Sequence, residues 1–275
     1  MKWFFALNDV SHEFEAYSNM LKVAVHTALK YTSLSPYFLY DGKENALTDW
    51  LRERDVKIIF RRSFLYEKLK EISEKENDTN YLSVGAGTFL RIEIPQLTLE
   101  MGIPDEYVLY TDVDVMFLSD VNDYMESLKP HFFAVAPEFY IDNYRKMNVG
   151  VMLMNLKNLR TMDKKFLKFT EENIEYLAKK VWDQTAYHKF YKKWWKNPEW
   201  DRLSPEYNWK PYWGKDYSSA KIIHFHGPKP YQREMLQSAN MPENIKSLKW
   251  LAKGAYYELS ELWSKMLKEA EENFQ

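Results

Sequence analysis

The sequence predicts an α/β domain with a mostly parallel central sheet and helices on both faces. Three observations carry that expectation. Through the first half of the chain, short apolar runs alternate with segments whose apolar residues recur at helical spacing, as in parallel strands joined by right-handed crossovers. In the second half, "HFFAVAPEF" and "VGVMLMNL" are continuous apolar runs of the kind that fill central strands covered on both sides. The 275 residues are enough to bury a substantial core, and no repeat, low-complexity tract or linker divides them. A single domain over 1–275 is expected, with 243–275 a helical extension packed on it.

"WFFAL" (Trp3–Leu7) reads as a buried strand, and Tyr17 to Tyr31 as a helix with Leu21, Val25, Ala28 and Leu29 on one stripe. "PYFLY" is the second strand, "NALTDWLRER" a helix, "VKIIF" the third strand and "SFLYEKLKEISEKE" another helix. The polar "KENDTN" reads as a loop, "GTFLRIEIPQLTLEMG" as a helix interrupted at Pro95, and "EYVLY" as the fourth strand. Beyond the two central runs, a helix is expected from about Leu156 to Lys179 and another over "WDQTAYHKFY". The stretch from Lys192 to Trp213, rich in Trp, Tyr, Pro and Lys, reads as structured loop. "AKIIHF" is the last strand, and "AYYELSELWSKMLKEAEENF" an amphipathic helix with a stripe of Tyr256, Leu259, Leu262, Trp263 and Met266.

A formal net charge of −2 gives no field that favours nucleic acid. The sequence has no cysteine, which removes disulfides and thiolate chemistry. "MKWFFALND" has too short an apolar run for a signal sequence, and no segment reaches membrane-spanning length. A soluble, cytoplasmic protein is the expectation. The 10 Trp and 20 Tyr suit a protein that handles sugars or flat rings, although aromatics also build cores.

The segment most informative about chemistry is "YVLYTDVDVMFLSD" (Tyr107–Asp120), in which Asp112 and Asp114 interrupt an apolar run. Residues i and i+2 of a strand share a side, about 6.5–7 Å apart along the chain, so both acids converge where the strand ends. Ligands of open α/β sheets sit at such strand ends, and two hard oxygen donors there suit Mg²⁺ or Mn²⁺. Solvated turn residues or ion pairs are the plainer explanation of an isolated Asp-x-Asp, but enclosure by apolar neighbours makes unpaired acids costly. An EF-hand calcium loop would need a third acid at Met116, a following Gly and a distal Glu, none of which is present. An aspartyl-phosphate phosphotransferase also places Asp-x-Asp after an apolar strand, but after the first strand rather than the fourth. A nucleotide-sugar transferase predicts further motifs downstream.

Such motifs follow in order: "KMNVGVMLMNL" (Lys146–Leu156), "WDQTA" (Trp182–Ala186), "LSPEYNW" (Leu203–Trp209) and "KIIHFHGPKP" (Lys221–Pro230). With the Asp-x-Asp they resemble glycosyltransferase family 8, retaining enzymes that include glycogenins and bacterial lipopolysaccharide galactosyl- and glucosyltransferases. The resemblance covers about Lys2 to Tyr231. It implies a GT-A (Rossmann-like) fold and metal-dependent transfer of a hexosyl unit from a UDP-sugar to an acceptor hydroxyl on a glycan or lipid-linked saccharide. An Asp-x-Asp phosphatase and a catalytically silent nucleotide-sugar binder are the competing readings.

Residue by residue, the resemblance implies that Asp112, Asp114 and His224 hold Mn²⁺ or Mg²⁺, with Val113 between the acids at the nucleotide. His226 is the rival ligand, because the strand alternation points it to the same side as His224. Gly227 and Lys229 match a phosphate-binding Gly and Lys, with the Gly-to-Lys spacing one residue shorter than is common and Tyr231 in place of a common Trp. Ala6, Asn8 and Asp9 match the nucleoside edge, Tyr17 is a candidate to stack on uracil, and Arg91 matches an Arg near the donor sugar and phosphate. Asn148, Asp183 and Gln184 match residues around the donor sugar, with Gln184 near the anomeric carbon and leaving-group stabilisation by the metal and Lys229 as the main catalytic contribution. "FYKKWWKNPEW" is a candidate acceptor surface, a peripheral membrane contact, or plain packing.

Overall fold

The computed structural model describes residues 1–192 and 198–272. The first half is built from β1 (Lys2–Asn8), α1 (Phe14–Tyr31), β2 (Ser35–Asp41), α2 (Ala46–Arg52) and β3 (Lys57–Phe60). Then come α3 (Tyr66–Glu76), α4 (Asn80–Thr88), a 3₁₀ turn over Phe89–Glu93, α5 (Ile94–Glu100) and β4 (Tyr107–Thr111). The second half runs β5 (Val115–Phe117), α6 (Asn122–Ser127), β6 (Phe133–Pro137), β7 (Met147–Asn155), α7 (Leu156–Glu172), α8 (Ile174–Ala178) and α9 (Trp182–Tyr191). It ends with β8 (Asp201–Arg202), β9 (Ile222–His224), α10 (Arg233–Gln237), α11 (Glu243–Lys246) and α12 (Tyr256–Glu272).

The strands form one sheet in the order β3-β2-β1-β4-β7-β6-β8, and β5 pairs with β9 in a small second sheet. All neighbours in the large sheet are parallel except at β7, which runs antiparallel to β4 and β6. The expected mostly parallel α/β architecture is the one observed. Strand alternation divides the core in two. Phe4 and Ala6 of β1 pack on one side with α3, α5, α7 and α9, through Leu69, Leu97, Phe166 and Ala186. Trp3, Phe5 and Leu7 pack on the other with α1 and α2, through Leu21, Val25, Leu47 and Leu51. Both faces of the sheet are thus covered, which is why its strands read as unbroken apolar runs.

Local chemistry sets several boundaries. Asn45 caps α2 by accepting from the backbone N–H of Leu47 at 3.0 Å and Thr48 at 3.2 Å, and the Thr48 hydroxyl accepts from the Asn45 N–H at 2.9 Å. Pro95 opens α5 in its first turn, where a missing N–H is harmless, so it marks a helix start rather than an interruption. Half of "KENDTN" (Lys75, Glu76 and Asn80) is absorbed into the ends of α3 and α4, with Asn77 in the left-handed conformation closing α3. The helix expected from Leu156 to Lys179 divides at Asn173, whose side chain donates to the Phe169 carbonyl at 2.8 Å. β9 stops at His224, shorter than "AKIIHF" suggests.

A third apolar cluster joins α12 to the small sheet. Leu259, Trp263 and Met266 pack with Met20 and Val23 of α1, Met116 of β5, and Ile223 and Phe225 around β9. The C-terminal helix therefore buttresses the strand that ends at His224. Leu259 is fully buried, so Leu259→Ala is expected to cost about 2–5 kcal/mol. Urea unfolding followed by tryptophan fluorescence measures it, and a single shifted transition is the outcome for an extension that folds with the rest.

Candidate active site

The sheet reverses direction of growth between β1 and β4, because β2 and β3 lie beyond β1 on one side and β7 beyond β4 on the other. The carboxyl ends of β1 and β4 flank the crevice that such a reversal leaves, the usual ligand position in open α/β sheets. A cavity of about 220 Å³ opens there. Of the residues expected at a donor site, Ala6, Asn8, Tyr17, Arg91, Asp112, Val113, Asp114 and Lys229 line it. Asp9 is exposed and accepts from the Lys43 N–H at 3.1 Å, outside that lining. Asn8 is buried, and its side-chain amide already donates to the Ser83 carbonyl at 2.7 Å.

β4 ends at Thr111, and Asp112 and Asp114 fall in the turn between β4 and β5. Each carboxylate commits one oxygen to a fixed cation. Asp112 Oδ1 accepts from Arg91 Nη2 at 2.7 Å and from the Tyr110 hydroxyl at 3.3 Å. Asp114 Oδ2 accepts from Lys229 Nζ at 2.6 Å. The remaining oxygens face His224 Nε2, with Asp114 Oδ1 at 3.3 Å and Asp112 Oδ2 at 3.9 Å. Asp114 Oδ1 is buried and makes no hydrogen bond. One ligand atom from each of Asp112, Asp114 and His224 lies within 4.8 Å of the others. An orphaned carboxylate oxygen beside a second carboxylate and an imidazole is a donor set that fits a divalent cation such as Mn²⁺.

Burial opposes ionisation of Asp114, but Lys229 and His224 override it and hold the carboxyl far below its ordinary range. Arg91 is 2% exposed. Its guanidinium lies 2.6 Å from Asp183 Oδ2 and donates to the Val149 carbonyl at 2.6 Å, besides its bond to Asp112. Burial disfavours that cation, and Asp112 and Asp183 outweigh the penalty, so it stays charged. Burial pushes the Asp183 carboxyl up to about 7 against the pull of Arg91, and Asp112 on the same guanidinium adds to the rise. Gly227 takes φ +101°, where a Cβ would also meet Leu251 Cδ1 at 2.8 Å. That turn folds Lys229 back to Asp114 despite its short spacing from Gly227.

Gln184, in the first turn of α9, is held at both ends of its amide. Its Oε1 accepts from Asn148 Nδ2 at 3.1 Å, and its Nε2 donates to Glu138 Oε1 at 2.8 Å. β7 is irregular beside Asn148. The register against β6 shifts between Val135 and Ala136, and the side chains of β7 change face from Val149 to Val151. A bulge of this kind re-aims side chains next to a site. Gly150 sits within it, and a Cβ there would lie 2.1 Å from His224 Cε1 and 2.8 Å from Asp112 Oδ2.

His226 is not in the three-residue cluster. Its Nδ1 lies 2.8 Å from the Tyr212 hydroxyl, and its Nε2 is 3.8 Å from Glu138 Oε1. The chain leaves β9 after His224, so the alternation that made His226 a rival ligand does not continue. Residues 193–197 of the acceptor surface expected over "FYKKWWKNPEW" lie outside the described residues. Trp200 at its end is buried and donates to the Tyr144 carbonyl at 3.1 Å, which is packing. Glu138, Gly150 and Asn208 touch the site and were not legible as site residues. For Gly150 a signal existed, since a glycine inside an apolar strand marks a bulge or a close approach.

The fold has known counterparts. The chain is similar to the glycosyltransferase GlyE of Streptococcus pneumoniae TIGR4, with 20% identity and a TM-score of 0.59 over 98% of this chain and 63% of that one. It is similar to the galactosyltransferase LgtC, solved with donor and acceptor sugar analogues, with 15% identity and a TM-score of 0.62 over 98% and 96% of the two chains. Mouse xyloside xylosyltransferase 1 matches with 17% identity and a TM-score of 0.53 over 88% of this chain and 98% of that one. The chain thus spans about 63% of GlyE's length. These likenesses establish a glycosyltransferase GT-A fold. No family model matches the sequence, and no curated protein is similar to it in sequence.

Two outcomes follow from this geometry. Gly150→Ala is expected to displace His224 and Asp112 and to cost about 1–3 kcal/mol by overpacking, measured by urea unfolding. Burial, with His224, Lys210 and Lys229 adding to it, holds the His226 imidazole well below its usual range. The unfolded chain therefore binds a proton that the folded chain refuses, and stability falls as pH drops below about 6.5, by up to about 1.4 kcal/mol per pH unit. His226→Gln is expected to flatten that slope in denaturant titrations across the acid range.

Proposed function

We propose that this protein is a glycosyltransferase of the family 8 type, which moves a hexosyl unit from a UDP-sugar to an acceptor hydroxyl with retention of configuration. The observation that carries the reading is the pair of carboxylates, each tied through one oxygen to Arg91 or Lys229 and turning the other toward His224 Nε2. Asp112, Asp114 and His224 hold the divalent cation, for which Mn²⁺ is the proposed identity. When bound, that cation neutralises charge developing on a departing nucleoside diphosphate.

The chain's own residues do the rest. Lys229 brings a compact positive charge to the diphosphate, next to a Gly227 turn that lets backbone come close. Tyr17 lines the same cavity as Lys229 and offers its ring to the base. Asn148, Asp183 and Gln184 surround the donor sugar. Because both ends of the Gln184 amide are engaged, it orients and stabilises rather than attacks. A poor nucleophile held in this way is compatible with a front-face route, in which the leaving phosphate accepts the proton of the attacking hydroxyl.

Thermal unfolding with UDP, GDP, CMP and ADP, each with and without Mn²⁺, tests the reading. A ligand at about a hundred times its Kd adds roughly 2.7 kcal/mol, which raises Tm by on the order of 2 °C per kcal/mol in a chain of this size. The expected result is a shift with UDP and Mn²⁺ together, lost in Asp114→Asn. Stabilisation by Mg²⁺ and a phosphate mimic without any nucleotide effect would instead make it an Asp-x-Asp phosphatase. Binding of UDP-sugars without transfer or hydrolysis would make it a silent binder.

A further inference from the structure

Three side chains, Asn208, Asn148 and Gln184, connect His224 to Glu138 through the interior. His224 Nδ1 lies 2.9 Å from Asn208 Oδ1, and Asn208 Nδ2 donates to Asn148 Oδ1 at 3.0 Å. Asn148 Nδ2 donates to Gln184 Oε1 at 3.1 Å, and Gln184 Nε2 donates to Glu138 Oε1 at 2.8 Å. Asn208 is fully buried, and Asn148 is 3% exposed.

An amide can be turned end for end, so the direction of such a chain needs anchors that cannot reverse. Three are present. A Glu138 carboxylate oxygen accepts, which requires the nitrogen of Gln184 to face it. The backbone N–H of Val149 donates to Gln184 Oε1 at 3.3 Å, and that of Gly150 donates to Asn148 Oδ1 at 3.3 Å. With both amides oriented, Asn208 turns its nitrogen to Asn148 and its oxygen to His224. Only a proton on Nδ1 satisfies that oxygen, and a neutral imidazole then carries a lone pair on Nε2. That nitrogen is the one facing Asp112 and Asp114.

We propose that Asn208 is the positioning residue of the metal site: it holds His224 in the Nδ1–H tautomer and presents Nε2 to the two carboxylates. The proposal rests on the reading of Asp112, Asp114 and His224 as metal ligands. Histidine ligands are generally oriented through their second ring nitrogen in this way, and loss of such a partner lowers metal affinity by about 10–100-fold. The same chain joins the metal ligand to Gln184. The side of the site that would hold the sugar and the side that would hold the metal are thereby set by one continuous network.

The tautomer is read directly by long-range ¹H–¹⁵N NMR on protein labelled at histidine, under mildly alkaline conditions, with His224→Gln identifying the signals. Mn²⁺ affinity is read separately by electron paramagnetic resonance of the free ion. Wild type is expected to show His224 protonated on Nδ1. Asn208→Ala is expected to lose that preference and to bind Mn²⁺ about 10–100-fold more weakly. Circular dichroism verifies that the variant folds, and the wild-type tautomer tests the proposal without any substitution at Asn208. A wild-type His224 protonated on Nε2, or an Asn208→Ala protein that keeps both the tautomer and the affinity, would overturn the proposal. If wild type has no affinity for Mn²⁺, the metal reading of the site fails, and the tautomer comparison still decides the role of Asn208.

Discussion

Arg91 lies in the interior, donating to Asp112 and to the Val149 and Thr88 carbonyls and paired with Asp183. Taking a guanidinium out of water costs several kcal/mol unless its partners are close and well aimed, so this cation constrains every element that meets it. β4 delivers Asp112, β7 delivers the carbonyl, α9 delivers Asp183, and the 3₁₀ turn before α5 carries Arg91 itself. Tyr110 adds its ring face, with the guanidinium 4.4 Å from the ring centroid. Arg91, Tyr110 and Asp112 at this junction also line the cavity.

A second buried charge pair, Lys229 with Asp114, works in the same way from the opposite side. Its effect is to bring the segment after β9 back over the end of β4. The turn at Gly227 and the apolar cluster under α12 make that return possible. Stability and chemistry are thus not separable here. The ion pairs that compensate buried acids also decide which carboxylate oxygens stay available, and those oxygens meet at His224 Nε2.

The lower half of the site is held by neutral groups. Asn148, Asn208 and Gln184 are amides, each able to accept on one end and donate on the other, so they can form a directed chain without adding charge to an interior that already holds several. β7 is irregular beside this chain. A residue larger than glycine at position 150 would collide with His224.

Several features were legible in the sequence because they depend on nearest neighbours along the chain. Apolar runs and helical spacing located β1, α1, β2, β4, α9 and α12 to within a few residues, and Asp-x-Asp at the end of an apolar run marked where a strand opens onto a cavity. Other features depend on groups far apart in the chain, and only the tertiary structure decides them. His224 and His226 are equivalent by alternation, and what separates them is that β9 ends and His226 turns to Tyr212. Asn208 is one polar residue in an aromatic loop until its oxygen is found 2.9 Å from His224. Glu138 is an acid after a strand until Gln184, 46 positions later in the chain, donates to it. Burial and hydrogen-bond direction are properties of the packed interior, which short-range pattern does not encode; the residue types that make the chemistry possible were in the sequence from the start, and the fold determines which of their atoms face one another.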